Sequence, residues 1–260
     1  MKSAVLISIF VFSSIFEGGL GADPVGYFYK EMGCTKNDGK VINYNCPDFT
    51  QNTTCYFKNE ILKPGERLDR ELLKGSCNAD CSCSLDGQLT CARYDCWFQI
   101  KPGCSLYKYS LDSCCPVGSV CDTPAECVVD GKTHKEGQHI YPKDTCDICV
   151  CDKDFKQEAP FCRPRKCMDQ ANNQYEVKRN GAPVFFKNEN CCPNTWTMDE
   201  GEKIIKLNPE APTDSKLFCK FGDRKVQLGH GFEKSVKPYG EVVPLRCECT
   251  APPFVICREK

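Results

Sequence analysis

The sequence predicts a small disulfide-rich all-β protein: modules in series, elongated, built from short antiparallel hairpins with little helix. Three observations carry that prediction. Cysteine occupies 24 of 260 positions, far above ordinary usage and the mark of a disulfide scaffold. The apolar runs are short and punctuated by Gly, Pro and Asp-Gly, as strands joined by tight turns require. The cysteines also recur in a repeating order. The densest stretch, CNADCSCSLDGQLTCARYDCWFQIKPGCSLYKYSLDSCCPVGSVC from Cys77 to Cys121, holds nine of them.

Taken in order, residues 1–22 combine the basic Lys2, an apolar run from Ala4 to Phe16 and the small residues Gly21 and Ala22. This is the layout of a secretory signal peptide, with the mature chain starting at Asp23. The run falls short of the roughly 20 apolar residues a bilayer span needs. Secretion to the extracellular space is therefore expected, with no membrane partner, in an oxidising compartment where thiols become bridges. Residues 23–54 form an N-terminal segment with Cys34 and Cys46, and Asn52-Thr53-Thr54 is a glycosylation sequon that predicts an exposed loop and a glycoprotein. Charge is balanced, 34 basic against 35 acidic residues. A nucleic-acid partner, which calls for a clustered basic face, is not expected.

The rest of the chain is a repeat. Three segments start with Cys and reach a Gly ten residues later: Cys55 to Gly65, Cys127 to Gly137 and Cys219 to Gly229. A C-x-C pair follows each, at Cys81/Cys83, Cys149/Cys151 and Cys247/Cys249, and then a further Cys at Cys91, Cys162 and Cys257. The copies divide the chain into a complete module at 55–121, a second with eight cysteines at 127–196 and a truncated C-terminal module at 219–260. Between the last two, 197–218 is polar, proline-bearing and free of cysteine, which reads as a linker. Within the first copy, Asp86-Gly87 between strand formers predicts a hairpin. Leu68, Leu72 and Leu73 have helical spacing, limited to about two turns by Pro64 and Gly75.

The order of these motifs, a Cys, then C-x-x-C-x-C, C-x4-C and a CC pair followed by Pro, resembles the von Willebrand factor type C module, also called the chordin-like cysteine-rich repeat. The first copy carries ten cysteines matching the family's ten, with one extra residue between Cys77 and Cys81 and a longer gap from Cys115 to Cys121. The second lacks the seventh and tenth positions, and the third keeps only the first, third, fourth and fifth. Spacing alone leaves connectivity open, since even eight cysteines permit 105 pairings.

The resemblance implies first with fourth, second with eighth, third with fifth, sixth with ninth and seventh with tenth. In the first copy that gives Cys55–Cys83, Cys77–Cys114, Cys81–Cys91, Cys96–Cys115 and Cys104–Cys121. In the second it gives Cys127–Cys151, Cys146–Cys191, Cys149–Cys162 and Cys167–Cys192, and in the third Cys219–Cys249 and Cys247–Cys257. Cys34 and Cys46 remain for each other. The positions missing from copies two and three are lost as whole implied pairs. Modules this small bury too little to offset chain entropy unaided, and each bridge supplies about 2–4 kcal/mol.

Candidate chemistry is sparse. C-x-x-C-x-C at Cys146 to Cys151 has thiolate-cluster spacing, but secretion and whole-pair losses favour bridges, so no metal and no cofactor is expected. His134, His139 and His230 accompany no nucleophile motif, and an enzyme is not expected. Trp97, Phe98 and Ile100, and likewise Pro183-Val184-Phe185-Phe186, place large apolar residues in modules with little core, either as recognition patches or as covers for the disulfides. The loop Arg163-Pro164-Arg165-Lys166 is compactly basic, either a solvated turn or a sulfated-glycan contact.

Cys77 to Cys96 also resembles the pacifastin-type protease inhibitor repeat. That likeness places a reactive bond between Arg93 and Tyr94, an Arg suited to the acidic pocket of a trypsin-like protease. The fuller resemblance implies a secreted protein that binds growth factors of the BMP/TGF-β class or a matrix component. The alternatives are a serine protease inhibitor acting through Arg93 and a secreted structural or defence protein.

Overall fold

A computed structural model describes residues 23–50, 53–187, 191–212, 214 and 216–260, with Tyr239 as backbone only. The signal-peptide reading of 1–22 and the glycosylation reading of Asn52 lie outside the described residues; beside the latter, Thr50 and Thr53 are exposed. The fold is the disulfide-rich all-β class the composition predicts, made mostly of two- to six-residue strands in antiparallel hairpins.

Each repeat builds the same object. The opening Cys starts a hairpin with a two-residue turn: Cys55–Phe57 with Glu60–Leu62, Glu126–Val129 with Lys132–Lys135, and Phe218–Phe221 with Arg224–Gln227. In all three the Cys faces the residue seven positions on: Leu62, His134 and Val226. Each turn opens on a residue with positive φ, Lys58, Asp130 or Gly222, as tight hairpins need to match strand twist. The Gly ten residues after the Cys then donates its N–H to the carbonyl of the second Cys of the C-x-C pair. These bonds run from Gly65 to Cys83 at 2.7 Å, Gly137 to Cys151 at 2.7 Å and Gly229 to Cys249 at 2.9 Å. All three glycines have φ between +71° and +88°, a region costly for residues with a Cβ.

The bridges follow from that scaffold. The first Cys of each C-x-C pair stands directly opposite its partner on the next strand: Cys81 and Cys91, Cys149 and Cys162, Cys247 and Cys257, with Cα atoms 4.0, 4.0 and 3.9 Å apart. The second Cys reaches back to the opening hairpin, at 5.7, 5.8 and 5.6 Å for Cys55–Cys83, Cys127–Cys151 and Cys219–Cys249. The remaining bridges are Cys34–Cys46, Cys77–Cys114, Cys96–Cys115, Cys104–Cys121, Cys146–Cys191 and Cys167–Cys192. The pairing is the one the resemblance implies, and no cysteine is free among the described residues.

The boundaries drawn from composition need correction near the C-terminus. The strands Ala182–Phe185 and Thr195–Thr197, assigned by spacing to the second copy, join the sheet of the third. In spatial order that sheet runs Thr195–Thr197, Ala182–Phe185, Phe254–Glu259, Val243–Ala251, His230–Val236 and Ile205–Lys206, with the Cys219 hairpin attached to Phe254–Glu259. The stretch 197–218 is therefore not a free linker. Ile205–Lys206 pairs with His230–Val236, Ile204 packs on the core, and Asp199 and Glu202 are tied by ion pairs to Arg224 and Lys234. Its polar character reflects that charge network.

Helices are few and short. Helix α1, Pro24–Glu31, starts with Pro at its first position, where no N–H is needed. Helix α2 spans only Arg70–Leu73, shorter than the two turns expected; the Asp69 side chain accepts from the Glu71 N–H and fixes its start. Helices α3, Asp169–Asn172, and α4, Gln174–Lys178, were not foreseen. They act as a splice between repeats. The Gln170 amide accepts from the Lys58 N–H and donates to the Met32 carbonyl, Gln174 accepts from the Leu89 N–H, and Asn172 accepts from Asn78.

Among the described residues, three core clusters are centred on the three repeats, and an aromatic one joins distant parts of the chain. In it Phe28 of α1 lies against Phe185, Trp196 and Phe254, with ring centroids 5.8–6.0 Å apart, while Tyr29 stacks on Tyr44 at 4.0 Å. The N-terminal segment thus docks on the C-terminal sheet. Val184 and Phe185, read as a possible surface patch, are buried, because the two faces of their strand enter different cores: Phe185 the aromatic one and Val184 that of the third repeat.

Candidate functional site

Large apolar residues are exposed on the first repeat after the strand Leu89–Arg93 ends. Residues 94–105 carry no regular secondary structure and are held by Cys96–Cys115 and Cys104–Cys121. Two bridges on so short a segment fix its course without a core beneath it. Trp97 is 87 % exposed. Phe98 and Ile100 are half-buried, and Phe98 meets the edge of the partly exposed Tyr107 at 6.0 Å. Tyr107 in turn lies 6.5 Å from Tyr109, which rests 5.0 Å from His139 of the second repeat. Of the three residues singled out by sequence, Trp97 is the free one. Tyr107 was missed because its partner Phe98 comes close only through the Cys104–Cys121 loop.

Arg93 and Tyr94 are both exposed. Arg93 is the last residue of its strand, opposite Asn78, and the Tyr94 N–H is bonded to the Cys77 carbonyl at 2.9 Å. The peptide between them is tied to the sheet. The Arg93 side chain borders a cavity at the seam between the first and second repeats, together with Arg163, Arg165 and Lys166.

The basic run is thus not a solvated turn. Cys162–Pro164 is a strand paired with Asp147–Val150, and Arg163 crosses to the first repeat, where its Nε and Nη2 donate to the Leu111 carbonyl at 3.2 and 2.6 Å. Gly75 makes room for it: a Cβ there would sit 2.0 Å from Arg163 Nη2. The Lys166 ammonium donates to the Glu71 carbonyl at 2.8 Å. Burial pushes its pKa down, and the neighbouring Arg163 and Lys58 push the same way. The Arg165 guanidinium lies over the Tyr141 ring at 4.9 Å. The sequence showed the basic run; that Arg93 joins it depends on how the repeats dock.

Among the described residues, the sulfur atoms close enough to share a metal are Cys96, Cys114 and Cys115, within 4.8 Å of one another. All three are in disulfides, with Cys115, Cys77 and Cys96 respectively, so none presents the thiolate a metal requires. Cys146, Cys149 and Cys151, the run with cluster spacing, are bridged to three different partners. No helix among the described residues is long and apolar enough to cross a membrane. No family model, curated protein or solved structure matches the chain.

Proposed function

We propose that the protein is an extracellular ligand-binding protein of the von Willebrand factor type C kind, whose partner is a secreted growth factor of the BMP/TGF-β class or a matrix component. The observation that supports this most is Trp97, 87 % exposed on a segment fixed by two bridges. A large aromatic side chain on a backbone fixed in advance spares the cost of ordering that segment on binding, and such residues dominate protein–protein hot spots. The mechanism is masking: the first repeat covers a receptor-binding face of its ligand. The inhibitor reading has less support, because the Arg93–Tyr94 peptide is tied to Cys77 and the Arg93 side chain borders a cavity with three other cations.

The test is surface-immobilised binding of the intact protein to a panel of such ligands, alongside inhibition of a trypsin-like protease. Saturable binding that Trp97→Ala weakens by roughly thirtyfold, the size of an ordinary hot spot, supports the reading. Absence of saturable binding across the panel defeats it, and micromolar inhibition abolished by Arg93→Ala replaces it with the inhibitor.

A further inference from the structure

Three sulfur atoms that belong to two different bridges crowd together at one corner of the first repeat. Cys96 Sγ and Cys114 Sγ are 3.9 Å apart, although Cys96 is bonded to Cys115 and Cys114 to Cys77. With Cys115 Sγ they form a trio within 4.8 Å of one another, and among the described residues no second trio of cysteine sulfurs is as close. The second repeat carries the same two bridges in the same order, Cys146–Cys191 and Cys167–Cys192. The crowding is therefore a property of the first repeat and not of the bridge pattern.

The two repeats differ in access as well. Cys77 and Cys96 are exposed and Cys114 and Cys115 half-buried, whereas Cys167, Cys191 and Cys192 are 5 %, 3 % and 6 % exposed. A cavity of about 460 Å³ opens beside the bridges of the first repeat, with Cys114 and Cys115 in its wall next to Leu73, Ala79 and Tyr94. That volume is on the scale of sites that take small organic molecules. Cys77, Cys96, Cys114 and Cys115 all lie outside helices and strands, so none is fixed by a ladder of main-chain bonds. Cys114 and Cys115 are consecutive, about 3.8 Å apart at Cα, and trading their partners asks for a displacement of one residue.

We propose that this corner is a thiol–disulfide exchange site, at which a low-molecular-weight thiol enters at Cys115 and shifts the bridge of Cys96 from Cys115 to Cys114. Exchange proceeds by thiolate attack on a disulfide sulfur through a mixed disulfide. The incoming thiolate bonds to Cys115 Sγ, the Cys96–Cys115 bond breaks, and its electron pair stays on Cys96. The Cys96 thiolate then attacks the neighbouring Cys114 Sγ. Cys96–Cys114 forms, Cys77–Cys114 breaks, and the electron pair passes to Cys77, which is exposed and takes up the proton the small thiol lost on ionising. One thiol is consumed and one appears, so the sequence of steps needs no oxidant or reductant. Because Cys96 immediately precedes Trp97, the exchange re-anchors the segment that carries it. The site itself does not depend on the protein-ligand reading.

The test incubates the intact protein with reduced glutathione at mildly alkaline pH, quenches it with acid and alkylates its free thiols before tryptic mapping by mass spectrometry. Cleavage after Lys74 and Arg93 places Cys77 and Cys96 on separate peptides. The expected product carries one glutathione on Cys115 and the alkyl label on Cys77, with Cys146, Cys167, Cys191 and Cys192 unmodified. Glutathione on Cys115 with the label on Cys96 shows attack without the second step and overturns the proposal. So do the absence of any adduct in the first repeat and equal modification of the second. Cys115→Ser gives a further measurement that needs no added thiol, since it leaves Cys96 as a thiol beside Cys77–Cys114. In the folded variant the label should divide between Cys96 and Cys77, whereas in Cys192→Ser it should stay on Cys167 and be absent from Cys146. Label confined to Cys96 in folded Cys115→Ser would overturn the proposal, and the wild-type measurement decides alone where a variant does not fold.

Discussion

Tyr29 and Ala251, 222 residues apart, are joined by a buried hydrogen bond: the Tyr29 hydroxyl donates to the Ala251 carbonyl at 2.5 Å and accepts from the Phe254 N–H at 3.1 Å. One phenol thereby serves two main-chain groups where Val243–Ala251 turns into Phe254–Glu259, and burial pushes its pKa well above the ordinary tyrosine range. Tyr29→Phe keeps the ring but strands both partners. The expected loss is about 1–3 kcal/mol, the cost of leaving buried polar groups unpaired, read as a lower denaturant midpoint with an unchanged slope. An unchanged midpoint would mean that the N-terminal helix is not docked as described.

The three repeat glycines share a backbone role and differ in surroundings, so Ala substitution should separate them. Around Gly65 a Cβ meets nothing within 4 Å, and Gly65→Ala should cost only the backbone penalty of about 1–2 kcal/mol. At Gly137 a Cβ would lie 2.7 Å from Lys108 Cα and from the Tyr107 carbonyl, at the junction of the first and second repeats. Gly137→Ala should cost roughly twice as much or more, since packed main chain cannot yield as a side chain can. Chemical denaturation of the two variants checks the ranking. Equal losses would show that φ alone sets the cost.

Much of the local fold was legible because it is set by short-range rules. The Cys–Gly interval of Cys55, Cys127 and Cys219 encodes a hairpin of fixed register followed by one positive-φ residue, whereas which Cys pairs with which came from the family resemblance, since spacing leaves connectivity open. What the repeats do to one another was not legible. Gln170 and Gln174 look like ordinary polar residues until the Lys58 and Leu89 amides arrive beside them. Phe185 has no feature distinguishing it from the exposed Trp97 except the strand that later pairs with it. The basic loop was visible as Arg163-Pro164-Arg165-Lys166, but that Arg93 lines the same cavity depends on how the repeats dock, where Gly75 leaves room for Arg163 to cross to Leu111.

Lys234 anchors the segment that composition marked as a linker. Its ammonium reaches Glu202 at 2.6 Å and Glu200 at 3.0 Å, and both Lys234 and Glu202 are largely buried. Burial alone would raise the Glu202 pKa, but the Lys234 hydrogen bond reverses this and holds the carboxyl below its ordinary range. A depressed carboxyl contributes stability above its unfolded pKa and loses it as pH falls through the folded value. Lys234→Met should therefore cost about 1–3 kcal/mol at neutral pH, less than a fully buried pair because Glu200 is exposed. The cost should shrink as pH falls below the ordinary carboxylate range and through the depressed Glu202 value, where the carboxylate takes up its proton and the ion pair is lost. Thermal unfolding from pH 7 down through the acid range tests this, and a cost independent of pH would assign Lys234 a packing role alone.

Asp169 gives the opposite pH dependence. It is buried at the start of α3, accepts a hydrogen bond from Trp196 Nε1 at 2.8 Å, and burial pushes its pKa from 3.8 up to about 7, against the lowering effects of Trp196 and Arg165. Since the folded protein holds this proton more tightly than the unfolded chain, the group stabilises the fold fully below about pH 4. That contribution falls away as pH rises through about 7. His139 acts in the other direction, because burial lowers its pKa and its contribution is lost as pH falls. Wild type alone would report the sum. Asp169→Asn isolates the term, for its amide oxygen still accepts from Trp196 but cannot ionise. The variant should be more stable than wild type at pH 8 and should lose that advantage by pH 4.5, in unfolding followed by tryptophan fluorescence. A constant difference between the two proteins across that range would show that Asp169 does not titrate inside the fold.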